Sequence, residues 1–176
     1  MTPSAKLLVF AHDRLACIKI VGRANVGSSI DFKRLVNELL EKDLSCFVLD
    51  LSECLLMDST FLGVLAGFGQ KISASQNGKP NSRAIELLNP NVRISELLEN
   101  LGVAHLFQPC QRQAETMQVG SGRVAAPCAE PSREEVKRNC LEAHEILMGL
   151  CPENAAKFKD VTAFLTEDLK KLKAGA

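Results

Sequence analysis

The chain has no tryptophan and no tyrosine, and only 8 phenylalanines among 176 residues. Platforms for single-stranded nucleic acid rest on aromatic faces, so they are poorly supplied here. An excess of either charge is also missing: 21 Lys and Arg stand against 21 Asp and Glu. Binding nucleic acid by general phosphate attraction needs a basic footprint, and no nucleic-acid partner is expected. Long apolar runs are absent as well. The run after Lys6 is interrupted by Asp13 and Arg14, and the stretch Phe61 to Phe68 is bounded by Asp58 and Gln70. Both are too short for a signal peptide or a membrane span, so the expectation is a soluble, cytoplasmic chain with no membrane partner. The 7 cysteines, at 17, 46, 54, 110, 128, 140 and 151, form no CxxC pair and are odd in number. That is not a disulfide framework; most read as small buried hydrophobes.

Catalytic patterns are missing too. No GxGxxG, Walker A, HExxH or GxSxG motif occurs. Gly22-Arg23-Ala24-Asn25-Val26-Gly27 lacks the third glycine of a dinucleotide loop and reads as a strand-to-helix connection. The three histidines, His12, His105 and His144, lie beside no obvious nucleophile along the chain. Cys140, His144 and Cys151 match no standard zinc spacing and read as buried cysteines beside a surface histidine. No metal, no cofactor and no enzymatic activity are expected.

What is present is an ordinary globular balance, 46% hydrophobic and 24% charged, over a length that suits one domain with an extension. Lys6 to Phe10 and Ala16 to Val21 read as a hairpin turning at His12-Asp13-Arg14. Ser28 or Ser29 is expected to cap the next helix, with Ser28 and Asp31 as a capping box and Leu35, Val36, Leu39 and Leu40 as its apolar face. Cys46 to Leu51 has the unbroken apolar character of a strand buried on both faces. Ser52 to Asp58 reads as a loop. A second helix carries Phe61, Leu65, Phe68 and Ile72 on one face and ends at Asn77-Gly78. Its Gly63 and Gly67 each cost helix stability, roughly 1 kcal/mol against alanine, which points to a close approach by another backbone. Ala84 to Leu88 reads as a strand. Asn89-Pro90 is expected to open a third helix, which Gly102 stops, and Val103 to Phe107 to form a last strand. The order β-β-α-β-α-β-α-β predicts an α/β protein.

Composition changes after residue 110. Residues 111–131 read as a flexible linker that Met117 and Val119 could pin in part. Residues 132–174 read as a helical hairpin, opened by a Ser132–Glu135 capping box. Its faces are Val136, Cys140, Ala143, Leu147 and Leu150, then Phe158, Val161, Leu165, Leu169 and Leu172, while Glu134, Glu135, Lys137 and Arg138 read as a solvated side. Such a hairpin is too small to stand alone. It either folds back on the domain, the reading favoured, or pairs with a second copy as a homodimer.

The informative segment runs from Phe47 to Phe68. A strand ends at Asp50-Leu51, a short connection follows, and Asp58-Ser59-Thr60 opens an apolar helix. A helix N-terminus accommodates a phosphate well, and a phosphate there changes a surface charge by roughly −1.5 to −2 units. Asp58 or Ser59 also serves as a plain N-cap, and spacing alone does not separate these readings.

The residues Asp50-Leu51 followed by Met57-Asp58-Ser59-Thr60-Phe61-Leu62-Gly63 resemble the core of the STAS domain family, the anti-sigma factor antagonists of bacteria. Leu88 to Arg93 and Leu97 to Val103 are similar to that family's last helix and its glycine stop. The resemblance covers roughly residues 5–110, and the domain is placed at 1–110. It implies a mixed β-sheet packed with α-helices, here with a C-terminal helical hairpin added. It also implies a phosphorylation switch at Ser59. An anti-sigma factor that is a serine kinase would modify Ser59, a PP2C-type phosphatase would reverse it, and the unmodified form would sequester the kinase. The implied partner surface is Asn25, Val26, Gly27 and Ser28 with Asp58, Ser59, Thr60 and Leu62. Phe61 stands where the commonest family form has glycine, and a bulky ring beside the acceptor would select the partner. The alternative is a STAS scaffold, never phosphorylated, in a signalling or transport assembly.

Overall fold

The computed structural model describes residues 4–42, 44–75, 85–111, 123–124 and 130–174. The chain opens with a hairpin of β1 (Lys6–His12) and β2 (Leu15–Ala24), paired antiparallel from Lys6–Val21 to His12–Leu15. Asp13 turns it at φ 53°. Then come α1 (Val26–Glu41), β3 (Cys46–Asp50), β4 (Cys54–Met57), α2 (Ser59–Ser75), β5 (Ile85–Leu88), α3 (Val92–Asn100) and β6 (Phe107–Cys110). β7 (Arg123–Val124), α4 (Arg133–Leu150) and α5 (Asn154–Ala174) complete the chain. The sheet runs β6-β5-β3-β2-β1-β7, with β2, β3, β5 and β6 parallel to one another. This is the mixed α/β architecture expected, with the C-terminal helices present.

β2 positions the site because its two halves have different partners. Leu15 to Lys19 pair with β3, and after a register shift beyond Gly22, at φ 97°, Arg23 and Ala24 pair with Leu56 and Met57 of β4. The backbone N–H of Asp58 then donates to the Ala24 carbonyl at 2.9 Å. The starts of α1 and α2 are thereby held side by side. The core joins Ile18, Ile20, Leu49 and Leu87 of the sheet to Phe32, Phe61 and Leu65 of α1 and α2. Phe32 lies 5.2 Å from Phe61, and Phe47 meets Phe68 edge-on at 4.9 Å between ring centroids.

Several local expectations are corrected. The cap of α1 is Asn25, not Ser28 or Ser29. Asn25 Oδ1 accepts from the Ser28 N–H, and Ser28 Oγ accepts from the Asn25 N–H, so the box closes one turn earlier and Asp31 falls inside the helix. Asn91 rather than Asn89 caps α3, because Asn89 ends the strand in a left-handed conformation at φ 51°. Residues 54–57, expected in a loop, form β4, with Cys54 and Met57 buried and Leu55 outward. Val103 precedes a 3-10 turn at Ala104–Leu106, and the last strand of the first part comes later, at Phe107–Cys110. That strand tolerates Pro109 because it lies at the sheet edge, where a missing N–H breaks no ladder. Arg123–Val124, within the stretch read as a linker, pairs with Leu8 and Val9. Asn77-Gly78, Ala84, Met117 and Val119 lie outside the described residues. Among the described residues no helix is long and apolar enough to cross a membrane.

The hairpin folds back on the domain. Ala143 and Leu147 of α4 are fully buried against α2. At the far end Asn154 Nδ2 donates to the carbonyls of Leu101 and Leu147, and Lys157 Nζ to the carbonyl of Asn100. The charges read as a solvated side are partly drawn inward: Glu135 pairs with Arg34 of α1, and Lys137 with Asp168 of α5. Glu135 therefore does not return the Ser132 capping contact, which consists of the Glu135 N–H donating to Ser132 Oγ at 3.1 Å.

Candidate functional site

The site lies where α1 and α2 begin. Asp58 is the N-cap of α2: its Oδ1 accepts from the Phe61 N–H at 2.8 Å, and its carbonyl accepts from the Leu62 N–H at 3.0 Å. With Asp58 in that role, the adjoining hydroxyl of Ser59 is left for other contacts. Ser59 is half-buried at the first helical position, where the unpaired N–H groups and the helix dipole favour negative charge.

The eight expected partner-surface residues do converge, but not all present surface. Asn25, Val26, Gly27, Asp58 and Ser59 are half-exposed. Ser28 is fully buried within the α1 cap, and Thr60 and Leu62 are buried too. Phe61 is fully buried against Phe32. The expectation that its ring would stand beside the acceptor is therefore corrected. On α2, residue 61 turns into the core while residue 59 does not, so Phe61 fills space under the site.

What the sequence did not reveal is the occupant of this site. α4 lies across it. Ser59 Oγ is 3.0 Å from His144 Nε2, and Thr60 Oγ1 is 3.3 Å from Cys140 Sγ. On the α1 side, Asn139 Nδ2 donates to Ser29 Oγ at 2.8 Å, and Lys33 and Arg34 pair with Glu142 and Glu135. The Asn139 Oδ1 acceptor is buried with no hydrogen-bond partner. The seam with α2 is closest at Gly63, where a Cβ would come within 2.3 Å of the Ala143 carbonyl oxygen. At Gly67 it would meet the Ile146 Cδ1 methyl at 2.8 Å. Gly63 thus marks the close backbone approach that its cost implied, while Gly67 meets only a side chain. The signal for His144 was its position one residue beyond Ala143 on the α4 stripe, but only the docking geometry brings it to Ser59.

The histidine tautomer follows from its surroundings. His144 Nδ1 lies 2.8 Å from the Cys140 carbonyl oxygen, which only accepts, so Nδ1 carries the proton. In the neutral ring Nε2 is then an acceptor, and the Ser59 hydroxyl donates to it. His144 is buried, not the surface residue expected, and its ring lies 4.7 Å from that of Phe158. Burial pulls its pKa down, but the Cys140 side chain and carbonyl and the Asp58 charge outweigh this, and the net displacement is upward. The Cys140 thiol is displaced downward, chiefly by its hydrogen bond with His144, against the effect of burial. Cys151 packs instead against Gly102. Among the described residues no three His, Cys, Asp or Glu side chains are grouped to hold a metal.

Comparison with known proteins places this geometry. The STAS domain model matches residues 7–117, and the chain belongs to the STAS domain family. Solved structures of similar fold include a Thermotoga maritima protein described as an anti-sigma factor antagonist, 20% identical over 61% of this chain and 86% of that one, TM-score 0.51. An anti-sigma factor antagonist from Mycobacterium paratuberculosis is 14% identical over 64% of this chain and 89% of that one, TM-score 0.50. The Bacillus cell fate determinant SpoIIAA in its phosphorylated form is 14% identical over 62% and 93%, TM-score 0.50. At these identities the likeness is one of fold. No curated protein sequence matches the chain. The family match ends before α4, so the helices that cover Ser59 lie outside it.

Proposed function

We propose that this protein is an anti-sigma factor antagonist: a protein-binding module of the bacterial cytoplasm, without catalytic activity of its own. In the unphosphorylated state it would sequester an anti-sigma factor serine kinase, and so release a sigma factor to transcription. The kinase would transfer phosphate to Ser59, and a PP2C-type phosphatase would remove it. The observation that carries this reading is the start of α2. Asp58 takes the capping role, Ser59 keeps a hydroxyl at the helix N-terminus, and the Asp58–Ala24 hydrogen bond sets it beside Asn25, Val26 and Gly27. A kinase docking there would read both loops at once. The test is binding of the cognate kinase to the wild type, Ser59→Ala and Ser59→Asp. Ser59→Ala is expected to bind like the wild type and Ser59→Asp at least about tenfold more weakly, on charge grounds. Equal binding of the two variants would defeat the switch.

A second reading has an observation of its own. The packing of α4 on Gly63 and over Ser59 also suits a permanently closed STAS scaffold that is never phosphorylated. Intact-mass analysis of the protein from growing and from stressed cells separates the two. A phosphate on Ser59 that varies with condition supports the switch, and none under any condition supports the scaffold.

A further inference from the structure

With Ser59 read as the phosphoryl acceptor, as above, we propose that α4 is an internal cover for that residue, and that a charged group on the Ser59 oxygen and the docked hairpin exclude each other. Phosphoryl transfer would form the Ser59 Oγ–P bond, break the bond from the γ-phosphorus to the bridging oxygen of a nucleoside triphosphate, and pass the hydroxyl proton to a base on the kinase. That chemistry needs in-line access to Oγ, which in the docked state faces His144 Nε2 at 3.0 Å.

Three features make the two states incompatible. The first is hydrogen-bond polarity. The docked state uses the one proton of Ser59 as donor to a nitrogen whose acceptor role is fixed by Nδ1–H on the Cys140 carbonyl. A phosphate ester has no such proton to give at neutral pH, so it faces an acceptor unless His144 takes up a second proton at Nε2, and the contact of the neutral ring is lost. The second is space. The terminal oxygens of a phosphate would need the volume now filled by the imidazole. The Ala143 backbone rests directly on Gly63, so that room is gained only by lifting α4 off the seam. The third is charge. Asp58 stands next to the acceptor, both are only half-exposed in the docked state, and a further −1.5 to −2 units, roughly, would be added to the carboxylate already there.

The seam is also built to open. Asn139 Oδ1 is buried there without a partner, which undocking returns to water. Between α1, α2 and α4 a groove lined by Phe32, Val36, Val64, Phe68 and Ile146 is left unfilled, so contact on the α1 side is incomplete. Lifting the hairpin would present Ser59 and the α2 face to a kinase, and the phosphate would then hold the hairpin away. The signal that regulates the switch would thus act on α4–α5 as well as on the kinase.

The experiment is backbone hydrogen exchange on the full chain, comparing the wild type with Ser59→Glu, Ser59→Ala and Gly63→Ala. Gly63→Ala forces the seam apart by backbone contact while improving helix propensity in α2. Ser59→Glu and Gly63→Ala are expected to raise exchange across residues 139–150 by about tenfold or more with β2 and β3 unchanged, and Ser59→Ala far less. Wild-type or greater protection of α4 in Ser59→Glu overturns the proposal. So does equal opening by Ser59→Ala, which would make the lost hydrogen bond, not the charge, the cause. Loss of protection throughout the sheet in Ser59→Glu overturns it too, since the effect would then be general unfolding and not opening of the seam, and protection of α4 in Gly63→Ala overturns the docking on which it stands. No kinase enters this experiment. Failure of the antagonist reading would appear separately, as absence of kinase binding by both the wild type and Gly63→Ala.

Discussion

His144 and Cys140 show how a residue's chemistry is set by its neighbours. Facing His144 are Cys140 on its own helix, Asp58 and Ser59 from the start of α2, and Phe158 from α5. Its pKa in the folded protein lies above the ordinary value of about 6.5. A group raised on folding contributes stability that is fully present below its unfolded pKa and is lost as pH rises through its folded pKa. The stability advantage of the wild type over His144→Gln, measured by urea unfolding, is therefore expected to be larger near about pH 6 than near about pH 8. A difference that does not change with pH would remove the protonation effect. The thiols are ordered in the same way. Burial pushes Cys17 and Cys54 up to about 11, while Cys140 is displaced downward. Thiolate is the reactive form, so iodoacetamide mapping of the native protein should label Cys140 ahead of Cys17 and Cys54. Labelling of Cys54 before Cys140 would contradict the hydrogen bonding at the seam.

At the scale of elements, the α2–α4 seam makes two similar glycines differ. A Cβ on Gly63 would strike backbone, at 2.3 Å from the Ala143 carbonyl oxygen, and backbone cannot rotate away. A Cβ on Gly67 would strike the end of the Ile146 side chain at 2.8 Å, which a change of rotamer relieves. Gly67→Ala is expected to be neutral or stabilising by up to about 1 kcal/mol through helix propensity, and Gly63→Ala to be destabilising. Thermal or urea unfolding of the two variants checks the order, and equal effects would mean that the helices are not in this register. Leu147 is fully buried in the same seam, so Leu147→Ala should cost about 2–5 kcal/mol. The expectation from sequence that these glycines signal a close backbone approach holds at Gly63, and at Gly67 the neighbour is a side chain. That the approaching element was α4 did not follow, because both glycines and the α4 stripe were compatible with several partners.

At the scale of the molecule, the hairpin is what separates this chain from a bare STAS domain. Its contacts reach both the start of α1, through Asn139 and Ser29, and the end of α3, through Asn154 and Leu101. The centre of the α4 stripe that could have served a second copy, Ala143 and Leu147, is buried within the same chain, while Phe164 on α5 remains 65% exposed. Removing residues 132–176 would uncover the α2 face around Gly63, Val64 and Gly67. The truncated chain is expected to self-associate or precipitate where the full chain does not, with sedimentation velocity as the check. A truncated chain that stays as dispersed as the full one would show that the hairpin covers little apolar surface.

The strand-helix order apart from β4, β6 and β7, the core faces of α1 and α2, a cap at Asp58 or Ser59 and the family motif around Ser59 were written in short-range pattern. Periodicity, capping chemistry and turn residues act within a few positions, and the sequence alone determined those features. Four things were not decided there. The second pairing of β2 with β4 depends on a bulge at Gly22, and β4 is too short to show a period. The α1 cap went to Asn25 because the β2 pairing extends through Ala24, a long-range event. The ring against which Phe61 packs, Phe32 on another helix, was chosen by the tertiary fold. His144 was brought to Ser59, 85 residues away along the chain, by the packing of α4 on two glycines. Local rules have no term for such distances; only burial of one apolar face against another selects them, and that selection is what placed a cover over the candidate switch.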